Sequence, residues 1–277
     1  MSGGERISGA LRAASAGQPA LVAYLTAGFP RRERFRQHVR ALAAASDVLE
    51  VGVPFTDPMA DGVTIQRASL AALAQGVTLR WILEELAALR GELATPLVLM
   101  SYLNPLLAFG AGPLAEAAQA AGVAGFIVPD LPLDESGELG AALSSRELAL
   151  VQMVTPVTGA ARLAALTAGS QGFVYAVTMT GTTGRSVAVP DDVLGYLDRV
   201  RAAATLPVCA GFGIRTREQV ARLAGHVDGV VVGSALVETI RKSLGSDSRP
   251  TSSTVTSVTG LVHELAAGLR GARVGAG

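Results

Sequence analysis

The stretch LPVCAGFGIRTREQVARLAGHVDGVVVGS, residues 206–234, contains one complete unit of a repeating pattern. It begins with a short apolar run at 206–212, continues with a segment of helical period at 217–225, and ends with a second apolar run at 228–234. Short runs that are apolar on both faces are typical of buried parallel strands. The stretch therefore predicts a strand–helix–strand unit.

The same alternation extends along most of the chain. The other strand candidates are ALVAYLT (20–26), DVLEVGV (47–53), PLVLMSY (96–102), GFIVPD (125–130), LALVQMV (148–154) and GFVYAVT (172–178). Amphipathic helical segments lie between them, among them 31–45, 79–90, 113–122 and 190–204. Eight βα units within about 250 residues predict a single-domain α/β fold, the (β/α)8 or TIM barrel. A doubly wound open sheet is the alternative, because one sequence does not reveal the order of the strands.

The two ends of the chain differ from this repeat. We expect residues 1–18 to form an N-terminal segment that caps the barrel floor, residues 19–270 to form the barrel, and residues 271–277 to be a flexible tail. The Ser- and Thr-rich segment 244–258 is predicted to be a loop before a last helix at about 259–270.

Composition excludes several classes of function. The 23 basic and 23 acidic residues balance, which does not suit a basic nucleic-acid surface. A single cysteine, Cys209, cannot form an intramolecular disulfide and fits a reduced, cytoplasmic setting. We expect neither a signal peptide nor a membrane span. The three histidines lie far apart, so no metal site is predicted.

Carboxylates cluster after the second strand candidate, in LEVGVPFTDPMADG (49–62). Glu50 interrupts an apolar run near the strand end, and in a barrel the active site lies where strands end. A glutamate that faces the interior has a raised pKa and can exchange a proton near neutral pH. A partly buried structural glutamate is the alternative. Asp57 and Asp61 follow in Asp-Pro and Asp-Gly dipeptides, which are also common turn formers.

Glycine-rich loops follow the last three strands. They are 180–185 after the sixth strand, 210–214 after the seventh and 232–235 after the eighth. Glycines let the backbone approach an anion, and backbone N–H groups and a helix N-terminus favour its charge. The three loops together predict a phosphate site across the mouth from the carboxylates.

With these motifs in order, the chain resembles the alpha subunit family of tryptophan synthase over nearly all of 20–270. The segments that carry the resemblance are YLTAG (24–28), LEVGVPFTDP (49–58) with ADG (60–62), MSYLNP (100–105), PDLP (129–132), the Gly181–Gly184 loop, GFGI (211–214) and GSA (233–235). The resemblance implies a lyase that cleaves indole-3-glycerol phosphate by a retro-aldol reaction into indole and glyceraldehyde 3-phosphate.

The resemblance also implies roles for individual residues. Glu50 would be the acid–base residue that protonates indole C3 and removes a proton from the glycerol hydroxyl, and Asp61 would bind the indole N–H. The implied substrate-binding residues are Tyr24, Met100, Ile127, Met153, Tyr175, Thr183 and Phe212. The implied phosphate-binding residues are Gly184, Gly213, Gly233 and Ser234. The family usually has Asp-Pro where this chain has Phe29-Pro30, and valine where it has Thr182.

The family works with a pyridoxal-phosphate beta subunit, and we expect no cofactor on this chain itself. An alpha2–beta2 heterotetramer is implied, with Asp57, Asn104 and Pro132 towards the beta interface. The alternatives are a free-standing lyase that releases indole and a non-catalytic allosteric subunit. The fourth hypothesis for the function is a phosphosugar isomerase barrel, which would not need an apolar pocket the size of indole.

Overall fold

The computed structural model describes residues 1–15, 18–178, 189–245, 250–251 and 253–271, with 270 and 271 described by their backbone alone. In the described chain, eight parallel strands pair in sequence order, and the last pairs with the first to close a barrel. The strands are β1 (Ala20–Thr26), β2 (Val48–Gly52), β3 (Leu97–Met100), β4 (Val123–Ile127), β5 (Ala149–Val154), β6 (Val174–Val177), β7 (Val208–Gly211) and β8 (Gly229–Val232). The prediction of a TIM barrel is confirmed, and the open sheet is excluded by the β1–β8 pairing.

Helices surround the strands and cover their outer faces. They are α1 (Gly3–Ser15), α2 (Phe35–Ala45), α3 (Val63–Leu73), α4 (Leu79–Ala87), α5 (Leu103–Phe109), α6 (Ala111–Ala120), α7 (Gly137–Ser144), α8 (Ala160–Gly169), α9 (Asp191–Ala203), α10 (Arg217–Leu223), α11 (Ser234–Lys242) and α12 (Thr254–Gly271). Two 3₁₀ turns, Arg32–Arg34 and Leu133–Glu135, precede α2 and α7. No helix among the described residues is both long and apolar enough to cross a bilayer.

The first helix lies across the N-terminal ends of the strands. Ile7 and Leu11 on its apolar stripe are fully buried. The Gly3 N–H donates to the carbonyl of Glu147, just before β5, at 2.7 Å. Arg12 donates through Nη2 to the carbonyl of Thr205, before β7, at 3.1 Å. A Cβ on Gly3 would lie 1.8 Å from the Ala124 carbonyl oxygen, so this close approach requires glycine.

The last helix begins at Thr254, five residues before the start that the sequence predicts. The Thr254 hydroxyl accepts a hydrogen bond from the Thr251 N–H at 3.0 Å and is itself buried. The Ser/Thr-rich segment therefore supplies the start of a helix, because these side chains satisfy free backbone groups. One apolar stripe of α12 is buried and consists of Val258, Val262, Leu265 and Leu269. The helix packs on α2, α10 and α11, where the first and last units of the ring meet.

Candidate active site

Glu50 lies inside the barrel. It sits in the middle of β2, where it pairs in register with Tyr24 of β1. Its side chain is only 1 % exposed, and Oε2 has no hydrogen-bond partner among the described residues. Burial raises the pKa of Glu50 to about 8, with a further contribution from the negative charge of Asp61. A buried carboxyl without a partner is costly for stability, which is typical of a group kept for its chemistry.

The loop after β2 brings Asp61 over the same cavity. Phe55 stacks on Tyr102 with ring centroids 5.4 Å apart, and the Tyr102 hydroxyl accepts a hydrogen bond from the Ala60 N–H at 2.8 Å. The carbonyl of Asp61, the residue after Ala60, accepts a hydrogen bond from Nε2 of Gln66 in α3 at 2.8 Å. These contacts hold Asp61 half-buried at the cavity, and burial raises its pKa to about 6.

The two carboxyl groups therefore differ in charge at neutral pH. With a pKa of about 6, Asp61 is mostly ionised at pH 7, whereas Glu50 at about 8 is mostly protonated. The ionised aspartate disfavours a second negative charge on Glu50. One group can thus donate a proton while the other stabilises a positive charge, a division of roles that a single carboxyl cannot supply.

Two tyrosines fill the cavity because glycines on the neighbouring strands leave room for them. A Cβ on Gly52 of β2 would lie 2.0 Å from the Tyr24 hydroxyl, and a Cβ on Gly211 of β7 would lie 2.3 Å from the Tyr175 hydroxyl. Tyr175 also meets Phe212 edge to face, with centroids 5.6 Å apart. The result is an aromatic wall beside Glu50, suitable for a flat apolar ring.

The opposite rim is formed by the turns after β7 and β8. Phe212 has φ of 71°, which is rare for a residue with a side chain, and Gly213 follows at 91°. The Thr178 hydroxyl fixes this turn by donating to the carbonyls of Gly211 at 2.8 Å and Phe212 at 2.6 Å. After β8, Gly233 precedes α11, whose first residue is Ser234. Backbone N–H groups at this helix start can bind an anion.

The structure brings most of the predicted site residues to one cavity. Those that line it are Tyr24, Glu50, Asp61, Met100, Tyr175, Phe212, Gly213, Gly233 and Ser234. Ile127 lies on β4, next to Met100 of β3; it is fully buried and does not line the cavity. Met153 lines a different hollow, together with Pro132. Thr183 and Gly184 lie outside the described residues.

Sequence reasoning missed five lining residues, namely Ala60, Gly62, Ile65, Ile214 and Val231. Strand alternation could have found Val231, which is two residues before Gly233 and so shares its face. Ile65 carries no such signal, because its contact with the cavity depends on how α3 packs over the barrel. Ile65 and Val231 add apolar surface to the ring-sized space.

The residues predicted to face a partner lie at the same end of the barrel. Asp57, Asn104 and Pro132 follow β2, β3 and β4 respectively, and all three are exposed. Two apolar side chains on the same rim are also exposed, Met59 at 85 % and Leu107 at 55 %. This rim therefore combines polar and apolar surface next to the mouth of the cavity.

Comparisons with known proteins identify the family of this chain. The family model described as "Tryptophan synthase alpha chain" matches residues 11–267. The tryptophan synthase alpha chain of Nitratidesulfovibrio vulgaris strain Hildenborough is 48 % identical over 226 residues, which cover 81 % of this chain and 88 % of that protein. The tryptophan synthase alpha chain of Solidesulfovibrio magneticus is 45 % identical over 232 residues, which cover 83 % of this chain and 91 % of that protein.

Solved structures show the same fold. Tryptophan synthase from M. tuberculosis, in an open form with BRD0059 bound, matches with a TM-score of 0.83 and 35 % identity, covering 98 % of this chain and 99 % of that one. The alpha chain from Legionella pneumophila matches with a TM-score of 0.86 and 28 % identity over the full length of both chains.

A closed parallel barrel with two carboxyl groups and a glycine-rich rim in one cavity at its mouth defines a (β/α)8-barrel enzyme. The match of both the family model and the curated relatives makes the identification specific. The chain belongs to the tryptophan synthase alpha chain family, whose reaction cleaves indole-3-glycerol phosphate and whose members have a beta-subunit partner. The predicted family and lyase activity are confirmed.

Proposed function

We propose that Glu50 carries out both proton transfers of this reaction. Protonated at neutral pH, it donates its proton to C3 of the indole ring, which places a positive charge on the ring nitrogen. The resulting carboxylate accepts the proton of the hydroxyl on the glycerol carbon bonded to the ring. The carbon–carbon bond then breaks, its electron pair neutralises the ring nitrogen, and an aldehyde forms. Glu50 ends the cycle protonated, so no external acid or base is consumed.

Asp61 supplies the second carboxylate. Its ionised side chain accepts a hydrogen bond from the indole N–H and stabilises the positive charge that develops there. The phosphate group binds to backbone N–H groups at Gly213, Gly233 and Ser234, across the cavity from the carboxyl groups. The observation that carries this proposal is the presence of two carboxyl groups, one fully buried and one half-buried, and of this glycine-rich rim in one cavity.

The rim that holds Asp57, Asn104 and Pro132 is proposed as the docking surface for the beta subunit. Exposed Met59 and Leu107 support this placement, because apolar side chains at a cavity mouth favour a protein contact there. We propose an assembly of two alpha and two beta chains in the cytoplasm, with pyridoxal phosphate on the beta chain and no cofactor on this one.

The test is an assay of the purified chain with indole-3-glycerol phosphate, with and without a tryptophan synthase beta subunit. Glu50→Gln is expected to abolish indole release in both conditions while retaining substrate binding. Asp61→Asn should lower kcat by about 10²-fold or more, as loss of a charge-stabilising group does. Near-normal turnover of Glu50→Gln would refute the acid–base role.

Asp57→Asn is the matched control, because it makes the same chemical change four residues away on the same loop but outside the cavity. It should leave the activity of the isolated chain unchanged and weaken activation by the beta subunit. High turnover without a beta subunit, and no increase on adding it, would instead identify a free-standing lyase.

A further inference from the structure

Two hydroxyl groups on β1, the strand that pairs with the Glu50 strand, have no part in the chemistry above. Tyr24 and Thr26 are two residues apart on β1, so both side chains point to the same face of the strand. Both are buried, and the Thr26 hydroxyl donates to the Tyr24 hydroxyl oxygen at 3.3 Å. Because Tyr24 receives this hydrogen bond, its own proton is directed elsewhere. No acceptor for that proton exists among the described residues.

The position of the Tyr24 hydroxyl is set by its neighbours. It lies against the backbone of Gly52, where a Cβ would come within 2.0 Å of the oxygen. Gly52 is two residues after Glu50 on β2, so the phenol lies over the strand that carries the catalytic carboxyl. Tyr24 also lines the cavity. Its hydroxyl is therefore fixed at the cavity wall rather than free to rotate with solvent.

A hydroxyl donor without an acceptor and an unpaired carboxyl oxygen thus share this cavity. Oε2 of Glu50 has no partner among the described residues, and Glu50 is the register partner of Tyr24 across the β1–β2 pair. Burial first, and then the negative charges of Asp61 and Glu50, raise the pKa of Tyr24 well above its ordinary value. The phenol therefore keeps its proton throughout and acts only as a donor.

We propose that Tyr24 donates a hydrogen bond to the substrate hydroxyl whose proton Glu50 accepts. This inference rests on the acid–base role proposed for Glu50. One substrate oxygen would bridge the two unpaired groups, accepting from Tyr24 and donating to Glu50. As the proton passes to Glu50, negative charge develops on that oxygen on its way to the aldehyde, and the Tyr24 hydrogen bond stabilises that charge. Thr26 strengthens the donor, because hydrogen bonds in a chain polarise one another.

Tyr24→Phe removes only the hydroxyl and keeps the ring. It is expected to lower kcat for indole-3-glycerol phosphate by about 10- to 100-fold, with KM changed less than about threefold, since the interaction strengthens in the transition state. Thr26→Val should lower kcat less, and Thr26→Ser should restore it. Tyr196→Phe is the matched control, because its hydroxyl donates to the Val154 carbonyl at 2.8 Å outside the cavity. That variant should keep kcat unchanged.

A binding experiment separates a bond to the hydroxyl from simple packing. Calorimetry compares Glu50→Gln with Glu50→Gln/Tyr24→Phe, using indole-3-glycerol phosphate and an analogue whose phosphorylated three-carbon chain carries no hydroxyls. The second substitution should weaken substrate binding by about three- to tenfold and leave analogue binding unchanged.

Equal losses for both ligands would show that the Tyr24 hydroxyl acts on the shape of the cavity and not on the substrate hydroxyl, and would overturn the inference. Normal kcat in Tyr24→Phe, with Glu50→Gln inactive, would overturn the inference and leave the proposed function standing. Normal turnover in Glu50→Gln would overturn the proposed function itself.

Discussion

Glu50→Gln should make the protein more stable, and increasingly so as the pH rises. The folded-state pKa of Glu50, about 8, lies above the unfolded value of 4.5, because burial penalises the charge. A carboxyl whose pKa is raised by folding does not lower the unfolding free energy below pH 4.5. Above pH 4.5 the loss of unfolding free energy grows until the pH passes 8. At 1.36 kcal/mol per pKa unit, 3.5 units correspond to about 5 kcal/mol above pH 8 and about 3 kcal/mol at pH 7.

Glutamine has nearly the same shape as glutamate and carries no charge at any pH. Urea unfolding of both proteins at pH 5, 7 and 9 measures the difference in unfolding free energy. Its change with pH is the quantity of interest, because any fixed cost of the amide cancels. We expect the variant to gain about 4 kcal/mol relative to wild type between pH 5 and pH 9. A difference that is flat with pH would show that Glu50 ionises as freely in the fold as in the unfolded chain, and would refute the reasoning.

Three further predictions follow from other parts of the structure. Because Asp61 must be ionised and Glu50 protonated, a plot of kcat/KM against pH should be bell-shaped, with half-maximal values near pH 6 and pH 8. A value of kcat/KM that still rises at pH 9 would contradict this. Gly3→Ala should lower the unfolding free energy by about 2 kcal/mol or more, since its Cβ meets backbone. Gly9→Ala, with open space in the same helix, should raise it by about 1 kcal/mol, and thermal melts that rank the two in the other order would be inconsistent with a docked α1. Burial lowers the pKa of His38 to about 4, so the unfolding free energy falls as the pH drops from 6.5 to 4. His38→Leu should remove about 3 kcal/mol of that fall, which urea unfolding at pH 7 and pH 4 measures.

The sequence was most informative where a polar residue interrupts an apolar strand, as Glu50 does in β2. Glu50 is a single charge in an apolar run, and a charge there is tolerated only where the fold has a use for it. A functional role could therefore be proposed from the sequence, but the side could not be decided, because an interior and a structural position were both open, and the structure places Glu50 in the middle of β2 and not near its end. The glycine-rich ends of β7 and β8 were informative for a similar reason, because consecutive strand ends in a barrel must meet at one rim.

Other features had no comparable signal. β5 is buried on both faces, so alternation does not reveal the direction of Met153, which lines a separate hollow with Pro132. The sequence predicts the start of α12 five residues too late, because Thr254 resembles a loop residue unless its buried hydrogen bond with Thr251 is known. The positive φ of Phe212 depends on Thr178, which is distant in sequence.

The docking of α1 has a consequence for how the chain is made. Its partners lie far downstream, at the carbonyls of Gly122, Glu147 and Thr205. Until residues 147 and 205 have been synthesised, α1 lacks two of these three hydrogen-bond partners, and the surface that buries Ile7 and Leu11 is incomplete. Because α1 precedes all eight strands, its docking is completed only when strands much later in the chain have been synthesised, and a nascent chain stalled before β5 would leave α1 incompletely packed and accessible to chaperones.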